Sequence, residues 1–116
     1  MATREEKIET YAQAILEEIG HKKVHNELLE GIVKHLGSAV HDADAELVAG
    51  TDPSEVKTIK DNFLKDKLEL DNVSEEKLDE AIDEAIELYG RSHKRKYRAI
   101  IYYLLAQKFK KEHLFV

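Results

Sequence analysis

The sequence predicts an all-α fold, a compact single-domain bundle of five or six helices around a central C-terminal helix. The 116 residues include one proline and five glycines, and no long stretch alternates between apolar and polar residues as a half-buried strand would. Apolar residues recur instead at the three- and four-residue spacing of amphipathic helices. With 42% hydrophobic and 36% charged residues, the composition is that of a folded helical protein. We therefore expect residues 1–116 to form one domain.

The first predicted helix extends over about residues 4–19. Thr3 and Glu6 have the spacing of a capping box at its start, and Gly20 is placed to end it. Its apolar residues fall on one helical face, which we expect to be buried. These residues are Ile8, Tyr11, Ala12, Ile15, Leu16 and Ile19.

A second helix is predicted to begin within residues 21–26. It ends either at Gly37, because an interior glycine costs about 1 kcal/mol relative to alanine, or near His41. The apolar face consists of Leu28, Leu29, Ile32, Val33, Leu36 and Val40. A short helical turn is expected to follow over residues 45–49.

Two further helices have clear start signals. Asp52 is predicted to be the N-cap of a helix that has Pro53 at its first position. Ser74 is predicted to cap the next helix, which stops at Gly90. The expected buried residues of the two helices are Val56, Ile59, Phe63, Leu64 and Leu68, then Leu78, Ala81, Ile82, Ala85, Ile86 and Tyr89.

The last helix, over about residues 92–112, differs from the others because residues 99–106 are apolar on all sides. Such a segment is typical of a helix surrounded by other helices, so we expect it to be central. Its residues Ile100, Ile101, Leu104 and Leu105 should be among the most buried. We also expect the apolar C-terminal residues 114–116 to pack back on the body of the domain, since exposed apolar side chains are unfavourable.

Composition also limits the possible functions. The chain has no cysteine, which removes disulfides, thiolate catalysis and cysteine zinc sites. The longest apolar run, residues 99–106, is far shorter than the roughly 20 residues that span a bilayer, so we expect no membrane association. The start lacks the apolar segment of a secretion signal, and a cytoplasmic location is expected. Net charge is −6, so any binding to nucleic acid would have to be local.

Several short strings carry a resemblance to a known family. They are GIVKHLG at 31–37, AELV at 45–48, TDPSE at 51–55, KDNFLKDKL at 60–68, YYLLAQKF at 102–109 and LFV at 114–116. Over about residues 31–116 the chain resembles a family of small uncharacterised bacterial all-α proteins, a domain of unknown function. The resemblance implies a small helical fold and no particular activity. Residues 1–30 lie outside it and can be an added N-terminal helix.

Two histidine clusters are candidate metal sites. His21 and His25 are four residues apart, and two histidines one helical turn apart can bind zinc. Gly20 is predicted to break the helix beside them, which favours a solvated loop. His41, Asp42 and Asp44 could coordinate a metal or supply a base, but a polar helix end is the favoured explanation. The glycines are dispersed, so no phosphate loop is visible. We expect no catalytic residue, cofactor or metal, and no enzymatic activity.

Charge reverses sign at Gly90. Residues 69–90 carry nine acids and one base, Lys77, whereas residues 91–111 carry eight bases and no acid. The acids are Glu69, Asp71, Glu75, Glu76, Asp79, Glu80, Asp83, Glu84 and Glu87. The bases are Arg91, Lys94, Arg95, Lys96, Arg98, Lys108, Lys110 and Lys111. This pattern predicts a helical hairpin whose charges face one another, with Asp83, Glu84 and Glu87 pairing with Arg91, Lys94 or Arg95.

The alternative is that the basic segment binds an anionic partner. Its candidate anion-binding residues are Arg91, Lys94, Arg95, Lys96 and Arg98. Phosphate contacts from these side chains, with a tyrosine to stack on a base, would suit a nucleic acid. The neighbouring acids would repel phosphate, so intramolecular pairing is favoured. We therefore expect a non-enzymatic interaction or accessory protein with a protein partner or self-association, and nucleic-acid or other polyanion binding is the alternative.

Overall fold

Five helices and no strand are present in the part of the chain that the structure describes, which confirms the predicted fold class. This computed structural model describes residues 3–42, 45–48, 53–70, 72–90 and 96–115. The helices are α1 (Arg4–Ala14), α2 (Asn26–Leu36), α3 (Pro53–Thr58), α4 (Glu75–Tyr89) and α5 (Arg98–Lys108). Wider turns with i→i+5 hydrogen bonds extend α1 over Ile15–Ile19 and α3 over Ile59–Lys67, and 3-10 turns cover Gly37–His41 and Glu112–Leu114.

The N-terminal helix begins and ends as predicted. The side chains of Thr3 and Glu6 form a reciprocal capping box, which satisfies amides that have no partner within the helix. Gly20 ends the segment in the left-handed conformation, with φ of 85°, where a side chain would be strained. The prediction that Leu16 is buried is wrong, because 43% of it is exposed. Leu16 lies at the edge of the apolar face, and the wider turn there rotates each residue by a different angle from that of an α-helix.

Helices α3 and α4 start at the predicted positions. Pro53 is the first residue of α3, while Asp52, its predicted N-cap, lies outside the described residues. Ser74 caps α4, since its hydroxyl oxygen accepts a hydrogen bond from the Lys77 amide at 3.3 Å. All six apolar residues predicted to be buried in α4 are buried, and the helix ends before Gly90. The start of α4 is thus determined by local sequence.

Helix α5 is shorter than predicted. It begins at Arg98, and the preceding residue, Tyr97, has an extended conformation and forms an isolated antiparallel bridge with Leu47. The Val48 amide donates to the Lys96 carbonyl oxygen at 2.8 Å, and the Arg98 amide donates to the Glu46 carbonyl oxygen at 2.7 Å. These contacts replace the helical hydrogen bonds that were expected on both sides. The predicted helical turn over residues 45–49 is therefore wrong where the chain is described, over residues 45–48.

Residues 99–106 of α5 are all buried, as their uniform apolarity predicted. Ile100, Ile101 and Leu105 are 0% exposed and Leu104 is 7% exposed. Helix α5 packs against α2 and α4, and Tyr11 and other α1 residues join the same hydrophobic core. The arrangement of all helices around α5 as one centre stays a prediction. Among the described residues, no helix has the length and apolar character needed to cross a bilayer.

Leu114 and Phe115 pack back on the domain, with Phe115 at Gly31, whereas Val116 lies outside the described residues. A Cβ atom at Gly31 would lie 2.2 Å from the carbonyl oxygen of Phe115, so only glycine allows this close approach. The ring of Phe115 lies 6.1 Å from that of Phe63, which stacks on Tyr102 at 3.8 Å between ring centroids. The Lys67 ammonium lies 5.2 Å above the Phe115 ring. An aromatic stack thus holds the chain end against α2, α3 and α5.

Truncation of a fully buried residue of α5 should be much more destabilising than truncation of an exposed apolar residue. We expect Ile101→Ala to lower the free energy of unfolding by about 2–5 kcal/mol, because it removes buried methylene groups and leaves a cavity. Leu16→Ala is the matched control and should change it by less than about 0.5 kcal/mol. Urea denaturation of both variants measures the difference, and equal losses would contradict the assignment of the core.

Candidate interaction surface

The solvent-facing side of α4 is densely acidic. Glu76, Glu80 and Glu84 follow one another at four-residue spacing, and a second exposed row is formed by Asp79, Asp83 and Glu87. Like charges four residues apart on a helix repel by about 0.2–0.5 kcal/mol per pair. The helix contains one base, Lys77, so α4 carries unfavourable repulsion that cations from elsewhere must offset.

Only part of this acidic surface is neutralised by the lysines seen around it. Lys60 lies 3.0 Å from Asp79 and 3.7 Å from Glu75, and Lys108 forms an ion pair with Glu84. Within the part of the chain that the structure describes, Glu76 and Glu80 have no ion pair. These two acids, which are one helical turn apart, remain open to a cation from another molecule.

An apolar cleft lies beside the acidic rows, between α4 and α5. Leu88, one helical turn after Glu84, is 52% exposed at this cleft. Its volume is about 340 Å³. The lining residues are His21, Ala81, Glu84, Ala85, Leu88, Leu104, Leu105, Gln107 and Lys108. Leucine and alanine side chains thus form a depression whose rim carries the Glu84–Lys108 ion pair.

Leu88 was not singled out from the sequence, although a signal for it exists. Leu88 is three residues after Ala85 and seven after Ala81, so it lies at the edge of the buried face of α4. It also follows Glu84 by four residues and therefore adjoins the acidic face. A leucine at the edge of an apolar face can be partly exposed, and this position was visible in the sequence.

The predicted basic site is divided by the structure. Arg98 donates from Nε to the carbonyl oxygen of Ala45 at 2.7 Å, and its guanidinium pairs with Glu55, which lies outside the acidic segment 69–90. Lys96 is 7% exposed. These two side chains are used inside the fold and are not displayed to an anion. Of the basic segment 91–111, Lys108 does pair with an acid of α4.

The other three candidate anion-binding residues, Arg91, Lys94 and Arg95, lie outside the described residues. Their pairing with Asp83, Glu84 or Glu87 therefore stays a prediction. The same holds for polyanion binding by these three side chains.

A partly buried polar cluster around Glu46 joins α1 to residues 45–48 and to Tyr97, the residue before α5. The Oε2 atom of Glu46 accepts hydrogen bonds from the Tyr11 hydroxyl at 2.6 Å and from the Lys7 ammonium at 2.8 Å. The Tyr11 ring lies 4.9 Å from that of Tyr97 and is 0% exposed. Burial, followed by the hydrogen bond to Glu46, raises the pKa of the Tyr11 hydroxyl. This cluster was not found from the sequence because Glu46 is 35 residues from Tyr11 and 39 from Lys7.

The histidine clusters lie in loops and helix ends. His21 and His25 follow the end of the first helical segment at Gly20 and so do not share a helix. His41 ends a 3-10 turn, Asp42 accepts a hydrogen bond from the Ala45 amide at 3.2 Å, and Asp44 lies outside the described residues. Among the residues described, no three His, Asp or Glu side chains are grouped closely enough to hold a metal ion.

Comparison with protein families matches residues 10–113 to the family described as "Protein of unknown function (DUF2853)". The chain belongs to the DUF2853 family. The match starts earlier than the resemblance over residues 31–116 predicted, so most of the N-terminal helical segment is part of the family's domain. A comparison with curated proteins finds no match.

The Glu46 cluster predicts a stability loss at alkaline pH. The pKa of Tyr11 in the folded protein is raised above its unfolded value of about 10. The neutral Tyr11 hydroxyl therefore stabilises the fold fully below pH 10, and this stabilisation is lost as the pH rises further. Tyr11→Phe should lower the free energy of unfolding by about 0.5–1.5 kcal/mol at pH 7. It should also make the decline above pH 10 shallower, by up to about 1.4 kcal/mol per pH unit. Urea denaturation across pH 7–11 measures both, and an unchanged alkaline slope would contradict the assignment.

Arg98 should act as a structural residue, unlike the exposed Lys108. Arg98→Ala is expected to lower the free energy of unfolding by about 1.5–3 kcal/mol, because it leaves Glu55 and a backbone carbonyl without their charged donor. Lys108→Ala removes an exposed ion pair and should cost about 0–1 kcal/mol. Thermal unfolding of the two variants compares them directly, and equal, small losses would show that Arg98 is a surface group.

Proposed function

We propose that this DUF2853 domain is a non-enzymatic interaction module that binds a basic amphipathic helix of another protein in the cleft between α4 and α5. The observation that carries the proposal is Leu88, which is half-exposed next to the acidic side of α4 and lines an apolar cleft. Helices that dock into grooves use such apolar anchors for affinity and charged rims for orientation.

The apolar part of the cleft supplies the binding energy. Full burial of a leucine side chain contributes about 1.5–3 kcal/mol, and about half of Leu88 remains available for burial. Leu104, at 7% exposure, and the alanines of α4 provide further surface for one or two large side chains of the partner. A partner helix with an apolar stripe can therefore cover Leu88 and fill the depression.

The charge of the surface selects the kind of partner. Glu84 lines the cleft, Glu80 and Glu76 lie one and two turns before it on the exposed side of α4, and the whole chain has a net charge of −6. A cationic helix would be attracted during encounter and would relieve repulsion among these acids. A second copy of this chain docking through the same face would bring acids against acids. Charge complementarity therefore favours a different, basic protein over self-association.

We also propose a cytoplasmic setting and a bacterial origin. A chain without cysteine gains nothing from an oxidising compartment, which supports the first. The resemblance found in the sequence supports the second.

The proposal is tested by selection from a displayed library of helical peptides that share one apolar face and have Lys, Gln or Glu at the polar positions. We expect enrichment of lysine-rich peptides and a loss of about tenfold or more in affinity for Leu88→Ser. The matched control is Leu16→Ser, which changes the other large exposed apolar residue of the described chain and should leave affinity unchanged.

Both variants keep the net charge, so non-specific attraction to an acidic protein is the same in each. Equal affinity for the wild type and Leu88→Ser would overturn the proposal, as would enrichment of glutamate at the polar positions. Circular dichroism of the variants confirms that each remains folded, which is expected for substitutions at exposed sites.

A further inference from the structure

We propose that the partner helix carries a lysine or arginine one helical turn from its apolar anchor, and that this cation takes the place of Lys108 at Glu84. The inference rests on the proposed function and specifies the recognition motif. It follows from the positions of Leu88, Glu84 and Lys108, which all line the same cleft.

The spacing of Glu84 and Leu88 on α4 determines how far the cation must be from the apolar anchor in the partner helix. Glu84 and Leu88 are four residues apart on α4, which corresponds to a rise of about 6 Å along one face of a helix. A second helix lying along α4 presents its own side chains with the same rise at three- and four-residue spacing. When its anchor covers Leu88, the residue one turn away lies opposite Glu84.

Glu84 is already paired, but the pair is readily exchanged. Its partner Lys108 reaches across from α5, and the two side chains are 65% and 44% exposed, respectively. Exposed ion pairs change an equilibrium by less than about fivefold, because water and salt screen them. A cation on the partner helix would therefore compete with Lys108 at little cost, and the released Lys108 ammonium would return to solvent.

The acidic row continues the motif beyond Glu84. Glu80 lies one turn further along α4, and no ion pair to it is present among the described residues. A second cation in the next turn of the partner would meet Glu80 without displacing any group. A partner glutamate opposite Glu84 would instead meet a like charge, so the same row would reject acidic helices.

The test uses two synthetic alanine-based helical peptides. Each has one leucine as the anchor, with lysine one turn before and one turn after it in the first peptide and glutamine at both positions in the second. The lysine peptide covers either direction of docking. Titration into isotope-labelled protein, followed by NMR chemical shifts of the Leu88 methyl groups, gives both the site and the affinity of weak binders.

We expect the lysine peptide to bind the wild-type protein about two- to fivefold more tightly than the glutamine peptide. This preference should disappear in Glu84→Gln. It should increase in Lys108→Ala, because the competing ammonium is gone. Glu9→Gln is the control for net charge, since Glu9 is exposed on α1 and does not line the cleft, and it should keep the full preference.

Equal binding of the two peptides to the wild type would overturn this inference, and so would a lysine preference that persists in Glu84→Gln. Weaker binding of the lysine peptide to Lys108→Ala would show that Lys108 supports docking, which also contradicts the exchange. In each of these cases the chemical shifts of the Leu88 methyl groups still change and show that the peptide binds in the cleft. If neither peptide changed these chemical shifts, the proposed function would be overturned instead.

Discussion

The fold depends on covering a helix that is apolar on every side. Residues 99–106 of α5 have no face that tolerates water, so other elements must pack around this segment. Helices α2 and α4 contact it directly, and the aromatic stack of Phe63, Tyr102 and Phe115 draws α3 and the C-terminal residues onto it. Burial of this segment requires that its polar start be satisfied as well. The backbone bridge between residues 45–48 and 96–98, together with the Arg98 side chain, meets that requirement.

This arrangement divides the charged residues into two groups. Several cations are used within the fold, because Arg98 and Lys7 bind carboxylates that are themselves partly buried, and Lys96 is almost fully covered. The acids of α4 have the opposite placement, since the apolar face of that helix packs on α5 and the acidic face is directed to solvent. Lys60 and Lys108 pair with Glu75, Asp79 and Glu84, and the pairing of the acids of α4 with Arg91, Lys94 and Arg95 stays a prediction. The acids without an ion pair in the described residues, Glu76 and Glu80, and the net charge of −6 are the basis of the proposed cationic partner.

Local features of the fold could be predicted from the sequence, and long-range contacts could not. The caps at Thr3 and Ser74 and the buried face of α4 depend on residues within a few positions of one another, and each was predicted correctly. The start of α5 at Arg98, later than expected, could not be predicted, because it depends on hydrogen bonds to residues 45–48, about fifty positions away. The Glu46 cluster escaped prediction for the same reason. Within the candidate site, the acidic rows were recognised, whereas the cleft depends on how α4 and α5 pack.

The partial exposure of Leu88 is the feature of α4 that the stability of the fold explains least. Leu88 lies at the edge of the buried face of α4 and is half-exposed, so a polar residue at this position would leave the core largely unchanged. Exposure of a leucine gives the folded monomer no benefit from the hydrophobic effect, so stability of the monomer does not account for it. A single exposed leucine is common on protein surfaces and would need no explanation. We propose Leu88 as a contact point because it lies at an apolar cleft, one turn from the exposed Glu84–Lys108 ion pair, so that the same few residues supply an anchor, a depression and a charge for a basic helix.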